Sequence, residues 1–447
     1  MTLDLAGVGA GPANLCVAAL ADGLPGVRCR FFDRQPVQRW HPGLMLPGSV
    51  LQVSHLKDLV TMVDPTSPYT FLNFLARTGR LYRFASLPRQ VITRREYESY
   101  LRWVAGTLPQ VRFGCAVEEV TFTGDAFRLA TARGPYTATH LSVGTGPVPR
   151  VPEPVAGMLG PTLLHSADFG YLPATSVRGR RVAVVGGGQS GAEVVEHLLG
   201  LAGDAAPREL TWVNRRHGFQ PLDDSPFTNE WFHPDYVRYF HGLAPARRKE
   251  LLGAQQLASD GISADLLERV YRRMYENDFV DEHRVPCAVL PGRELHRVAS
   301  TVDGWRLDLA QCDTGAPETL RADTVVLATG YEFRLPEFLR PLADRIPVAS
   351  DGQLALDADY SVPWDGPAGN KLFFLNAGRH SHGIADPNLS LASWRAATVL
   401  SSIADTPWDA GATTSTSRWA STVPHETVPH ETLPYEPAPH RTESADR

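Results

Sequence analysis

Two glycine-rich segments have the spacing that holds a dinucleotide. The first, Gly7-Val8-Gly9-Ala10-Gly11-Pro12-Ala13-Asn14, puts glycines 9 and 11 where a strand must turn sharply into a helix. Free N–H groups and the dipole at such a helix start favour a pyrophosphate. Asn14 replaces the third glycine of the usual fingerprint. Asp33 follows about two dozen residues on, at the end of the next strand, where a carboxylate accepts from ribose hydroxyls. The second segment, Gly186-Gly187-Gly188-Gln189-Ser190-Gly191, has the full pattern, and the strand after it ends in Asn214-Arg215-Arg216 rather than in an acid. Guanidinium groups there suit a 2′-phosphate, which favours NADPH over NADH. Either turn could instead be a tight bend of any α/β fold, and the arginines could be a solvated pair.

The elements that position these turns follow from hydrophobic periodicity. Residues 3–8, 12–20 and 27–32 read as a βαβ unit. A second unit has a strand at 182–185, a helix through Leu199 and a strand at 210–213. Between them, 94–104 reads as a helix and 137–143 as a strand leading into Gly144-Thr145-Gly146-Pro147. Residues 221–279 lack strand alternation, while 246–256 and 264–275 have helical spacing. A buried strand at 324–327 ends in Ala328-Thr329-Gly330-Tyr331, a glycine turn that can carry the chain between domains. The expected fold is α/β, with two Rossmann-like dinucleotide-binding domains, one for FAD and one for NADPH, and a helical substrate-binding insertion. Residues 1–170 are assigned to the first part of the FAD domain. Residues 171–320 form the NADPH domain, with the insertion at about 221–280, and 321–405 the second part of the FAD domain. Residues 406–447, rich in Pro, Thr, His and Glu and with Thr-Val-Pro-His-Glu repeated at 422–426 and 427–431, are expected to be a disordered tail.

Composition narrows the chemistry. A chain of 447 residues with net charge -6 lacks the basic surplus that attracts nucleic acid or anionic lipid. No apolar run approaches the roughly 20 residues that span a bilayer, and Asp4 stands where a signal peptide would be basic. The cysteines, Cys16, Cys29, Cys115, Cys287 and Cys312, form neither a disulfide framework nor a metal cluster, so a reducing cytoplasm and no metal are expected. They also supply no dithiol for a disulfide reductase. A flavin reduced by NADPH would then pass its electrons to oxygen or an organic acceptor. Lysine occurs only at 57, 249 and 371, so a lysine at a motif position carries weight.

The motifs in order resemble the flavin-dependent amine N-hydroxylating monooxygenases of siderophore biosynthesis, most closely the lysine N6-hydroxylase (L-lysine 6-monooxygenase) branch. The resemblance rests on the first turn with its Pro-Ala-Asn, on Trp40-His41-Pro42-Gly43, and on Leu51-Gln52-Val53-Ser54-His55-Leu56-Lys57-Asp58. It continues through Pro65-Thr66-Ser67-Pro68-Tyr69, Arg94-Arg95-Glu96-Tyr97, the triple glycine, Ser259-Asp260-Gly261-Ile262 and Ala328-Thr329-Gly330-Tyr331. It ends with His382-Gly383-Ile384-Ala385 and Leu389-Ser390-Leu391, so that about residues 1–400 are covered.

What the resemblance implies is N-hydroxylation of the terminal amine of L-lysine by a C4a-hydroperoxyflavin, consuming NADPH and O2. The N6-hydroxylysine would enter a hydroxamate siderophore or a related product. Cadaverine or putrescine, and after them L-ornithine, are the alternative substrates, and a flavoprotein without turnover is the rival of another class. The resemblance makes Gln52, Asn229 and Ser390 the catalytic candidates. Lys57 would meet the substrate carboxylate, Gln52 would lie against the flavin, and Asn229 would bond substrate and cofactor. Ser259 and Asp260 stand where ornithine-type relatives carry another Asn, and Ser390 with Leu391 would cover flavin and amine. Cofactor contacts fall to Gly7, Gly9, Gly11, Pro12, Asn14, Asp33, Trp40, His41, Gln52 and Ser390, and to Gly186, Gly188, Gln189, Ser190, Gly191, Arg215, Arg216, Thr329, Gly330 and Tyr331. Relatives of this kind imply a homo-oligomer, such as a tetramer. The substrate amine must be neutral to attack, and deprotonating a free lysine amine at pH 7 costs about 4–5 kcal/mol. Desolvation and placement, rather than a strong base, are the expected means.

Overall fold

The computed structural model describes residues 2–88, 91–282, 284–404 and 415–419. Leu3–Val8 (β1) lies parallel between Cys29–Phe32 (β2) and Tyr136–Val143 (β6). Val111–Arg112 (β3) extends the sheet beyond β2, and Val117–Phe122 (β4) with Phe127–Thr131 (β5) adds an antiparallel meander, giving the order β3-β2-β1-β6-β5-β4. The helix Pro12–Ala21 is apolar nearly all round because it is covered on two sides, by the sheet and by the late helix Ala392–Ser401. The helix Arg94–Thr107 starts where Thr93 accepts the Glu96 N–H, and it buries Tyr97, Tyr100, Leu101 and Val104 along one stripe.

The chain then crosses through Val148–Pro149 (β7) into a second sheet. It contains Leu163–His165 (β8), Arg181–Val185 (β9), Glu209–Asn214 (β10), Cys287–Pro291 (β11) and, further on, Thr324–Leu327 (β15), all parallel in the order β11-β10-β9-β15-β8. Arg293–Thr301 (β12), Gly304–Gln311 (β13) and Pro317–Ala322 (β14) form a separate antiparallel sheet. The return runs through Tyr331–Glu332 (β16), paired antiparallel with β7, to Leu372–Phe374 (β17) beside β6. The two crossings therefore lie side by side.

This pairing moves the expected borders. β8 lies before residue 171 and β15 after 321, yet both belong to the second sheet. Thr324–Leu327 is buried along its whole length, and such a run is equally at home in either parallel sheet; only its pairing with β9 assigns it.

The insertion is helical as expected. It holds Pro226–Asn229, Pro234–His241, Pro245–Ala254, Gln256–Asp260 and Ala264–Phe279, three of them opened by a proline whose missing N–H costs nothing there. Leu266 and Val270 pack the last helix onto Gln189–Leu199. The expectation of a disordered tail does not hold for residues 415–419. Trp419 lies edge-on to Tyr236, and Thr416 and Ser417 donate to Glu230. The Thr-Val-Pro-His-Glu repeats lie outside the described residues. Among the described residues no helix is long and apolar enough to cross a membrane.

Candidate active site

Both glycine turns are built as anion cradles. Gly9 has φ +87° and Gly186 φ +136°. A Cβ at Gly186 would come within 2.0 Å of the Ala328 carbonyl oxygen, and one at Gly9 within 2.6 Å of the Gly144 carbonyl oxygen. Of the glycines that begin the helices, Gly188 faces open space, and a Cβ at Gly11 would only touch the Gly144 carbonyl oxygen at 3.9 Å. Neither helix start has a side-chain cap, so the N–H groups behind Pro12 and around Gln189 and Ser190 are free for a pyrophosphate. Gly7 and Gly191 serve close packing, against the Phe31 ring and the Gly186 carbonyl respectively.

Two first-turn residues are engaged with the protein itself. Asp33 accepts the Ala10 N–H at 2.8 Å, which ties the acid at the end of β2 to the turn. Asn14 is fully buried. Its amide donates to the Val8 and Gly9 carbonyls and accepts from Ser142 Oγ at 2.6 Å. Its side chain clasps the turn to β6.

Arg215 pairs with Glu294 at 3.2 Å where both are exposed, a weak bond that leaves the guanidinium accessible. Arg216 donates to the Asp260 carbonyl at 3.3 Å. Beyond β10, Arg215 is exposed and Arg216 half-buried.

The first and second units meet between the turns. Gln52 donates to Gln189 Oε1 at 3.3 Å, joining the flavin-side segment to the second helix start. Gln189 also accepts the Ser263 N–H and donates to Glu193. Arg94 grips both oxygens of Glu193 at 2.7 and 2.8 Å, and burial pushes the Glu193 carboxyl above its ordinary range although Arg94 opposes the shift. Sequence reasoning assigned Arg94 and Glu193 no part in the site; the signal available was an acid one helical turn after Gln189.

Aromatic groups wall the same crevice. The Trp40 ring meets Tyr97 and His41 edge-on, and His41 faces Tyr331 with centroids 6.3 Å apart. His41 has φ +46° and remains accessible, but the protein crowded around it, with help from the Arg94 charge, pulls its imidazole down to about 4. Desolvation raises the Tyr331 phenol to about 12, and its hydroxyl has no partner among the described residues. Thr329 donates to the Arg150 carbonyl and Gly330 has φ +83°, so that turn closes against the other crossing.

On the amine side, Lys57 is half-buried, and its ammonium makes no ion pair among the described residues; burial lowers its pKa. The adjacent Asp58 cannot serve as its partner. Its oxygens accept from the N–H groups of Val60, Thr61 and Phe71 and from Thr61 Oγ1. Asn229 bonds its amide to the Asp224 carbonyl at 2.7 Å and so shapes its own turn. Ser259 and Asp260 do not stand free: Arg379, which sequence reasoning missed, holds Asp260 at 3.1 Å and Ser259 Oγ at 3.1 Å. Ser390 and Leu391 are buried just ahead of the helix Ala392–Ser401, where Asn388 accepts the Ser390 N–H.

Two uncapped helix starts, the arginines beyond the second and a half-buried lysine without an ion pair among the described residues can hold two nucleotides and one anionic group. Comparison with known proteins places this arrangement. Residues 1–333 match the L-lysine 6-monooxygenase/L-ornithine 5-monooxygenase family. Over 405 residues the chain is 37% identical to the L-lysine N6-monooxygenase of Escherichia coli, covering 90% of this chain and 94% of that one. The cadaverine monooxygenase of the desferrioxamine pathway of Erwinia amylovora, solved with FAD, superposes with TM-score 0.85 at 30% identity, over 91% of this chain and 96% of that one. The ornithine N-hydroxylase of Kutzneria sp. 744, solved with reduced FAD, NADP+ and L-ornithine, superposes with TM-score 0.81 at 28% identity, over 90% and 99% of the two chains.

Proposed function

Because the chain belongs to the L-lysine 6-monooxygenase/L-ornithine 5-monooxygenase family, we propose that it N-hydroxylates the terminal amine of L-lysine for siderophore synthesis, using FAD, NADPH and O2. The observation that carries the choice of an amino acid over a diamine is Lys57. An ammonium half-withdrawn from water, with its neighbouring carboxylate fully engaged elsewhere, is available for the carboxylate of a substrate. A diamine offers it none.

The open helix start at Gly11 would take the FAD pyrophosphate and that at Gly188 the NADPH pyrophosphate, with Arg215 and Arg216 toward the 2′-phosphate. Bound FAD, reduced by NADPH, supplies the activated oxygen. The protein's part is to bind and orient. Gln52, already bonded to Gln189, spans the two nucleotide sites, and Trp40, His41 and Tyr331 exclude water from the crevice between them. A histidine held neutral at about 4 adds no positive charge that would oppose amine binding. Asn229 and Ser390 are assigned to orienting the amine. Its proton is shed to solvent as the amine is desolvated.

A panel of L-lysine, L-ornithine, cadaverine and putrescine, with product identification and peroxide quantified, tests the proposal. The expected result is N6-hydroxylysine, with kcat/KM for lysine above that for cadaverine by at least about tenfold, the weight of one charge-assisted pair. Cadaverine turned over as well as lysine would overturn the role of Lys57. NADPH consumption with peroxide as the sole product from every amine would overturn the hydroxylase itself.

A further inference from the structure

Residues 415–419 lie beyond the matched family region, yet they are seated on specific groups. The Thr416 N–H donates to one oxygen of Glu230 at 2.7 Å and the Ser417 N–H to the other at 2.8 Å. Ser415 Oγ lies 3.2 Å from His233 Nδ1 and donates to Asp235 at 3.3 Å. The Trp419 indole stands edge-on to Tyr236 with centroids 4.7 Å apart. Glu230 is 7% exposed and pairs with no cation among the described residues. A carboxylate so covered is costly unless hydrogen-bonded, and the strap's amides supply those bonds.

What this segment holds is the wall assigned to the substrate. Glu230 directly follows Asn229. The turn before it is tied to the Ser259–Asp260 stretch by Leu222 N–H to the Ile262 carbonyl at 2.7 Å and Asp223 N–H to the Leu257 carbonyl at 3.1 Å. Tyr236 belongs to the helix Pro234–His241, whose His241 ring lies against His382 with centroids 4.9 Å apart, in the segment that leads to Ser390. A single anchor point therefore backs the turn of Asn229 and, through one helix, the segment of Ser390.

We infer that residues 415–419 are a strap that positions the Asn229 turn through Glu230 and Tyr236, and that its seating sets the affinity for the amine. The inference rests on the amine-hydroxylase reading. Glu230 and Trp419 are positioning residues, acting through Asn229 rather than on the substrate.

The test uses the full chain with Ser417→Pro, which removes one N–H donor to Glu230, and separately with Trp419→Ala. Amine KM, the fraction of oxidised NADPH recovered as hydroxylamine, NADPH KM and FAD occupancy are measured. The amine KM is expected to rise about tenfold, the loss of one charge-assisted hydrogen bond, with a lower coupled fraction. NADPH KM and FAD occupancy should stay within about twofold of the parent. Trp419→Phe should restore most of the affinity, and Glu230→Gln combined with Ser417→Pro should be no worse than the more damaging single change, because both remove the same contact. Amine KM unchanged in both Ser417→Pro and Trp419→Ala overturns the inference, even if thermal stability falls. So does an equal rise in amine and NADPH KM. A parent enzyme that hydroxylates no amine overturns the reading beneath it instead.

Discussion

Lys57 is available because Asp58 is not. Four hydrogen bonds from Val60, Thr61 and Phe71 saturate that carboxylate, so adjacent opposite charges in the sequence do not meet in space. Replacing Lys57 with Ala should raise the KM for lysine about a hundredfold, the loss of a partly buried charge pair, and leave cadaverine kinetics nearly unchanged. Steady-state kinetics on the two amines checks this, and equal losses for both would assign Lys57 to the cofactor instead. Residue type and spacing single out Lys57 as a candidate. They do not show that the Asn14 amide bonds the Val8 and Gly9 carbonyls and Ser142. Nor could they find Arg379, which lies about 120 residues from its partners Ser259 and Asp260.

At the scale of the element, the glycines of one turn divide their labour. Gly186 packs against the Ala328 carbonyl with φ +136°, whereas Gly188 has nothing within 4 Å of a built Cβ. Gly186→Ala should lower the folding free energy by about 2 kcal/mol or more through strain and clash. Gly188→Ala should fold like the parent and raise the NADPH KM about tenfold, since a methyl group would occupy the pyrophosphate's approach. Thermal denaturation beside NADPH titration separates the two. The strands Leu3–Val8 and Thr324–Leu327 have the ends that the sequence predicts, because each is a short apolar run closed by a glycine turn. The sheet that Thr324–Leu327 joins was not legible, since a strand buried on both faces has no polar side to orient it.

For the whole molecule, the Arg94–Glu193 pair and the Gln52–Gln189 bond hold the two nucleotide units together, while β7 and β16 carry both crossings. Two buried histidines weaken this assembly in acid. His382 is 1% exposed and burial depresses it to about 3; His165 is fully buried and depressed too, with its Nδ1 accepting the Ala167 N–H. In the unfolded chain both titrate near about 6.5. Between that value and their folded values the unfolded state binds more protons at these two sites, so their contribution to stability is full above about pH 6.5 and falls as pH drops below it. Denaturation midpoints at pH 7.5 and pH 5 check the sign, and a midpoint higher at pH 5 would contradict it.

The sequence by itself determined the two nucleotide turns, the helical character of the insertion and the family, because glycine geometry and hydrophobic period are local properties. Only the tertiary structure decided which sheet owns β15, that Glu193 meets Arg94, and that residues 415–419 return to Glu230. Those pairings join segments about a hundred or more residues apart. What selects them is the burial and hydrogen bonding gained when distant segments meet, which no local pattern encodes.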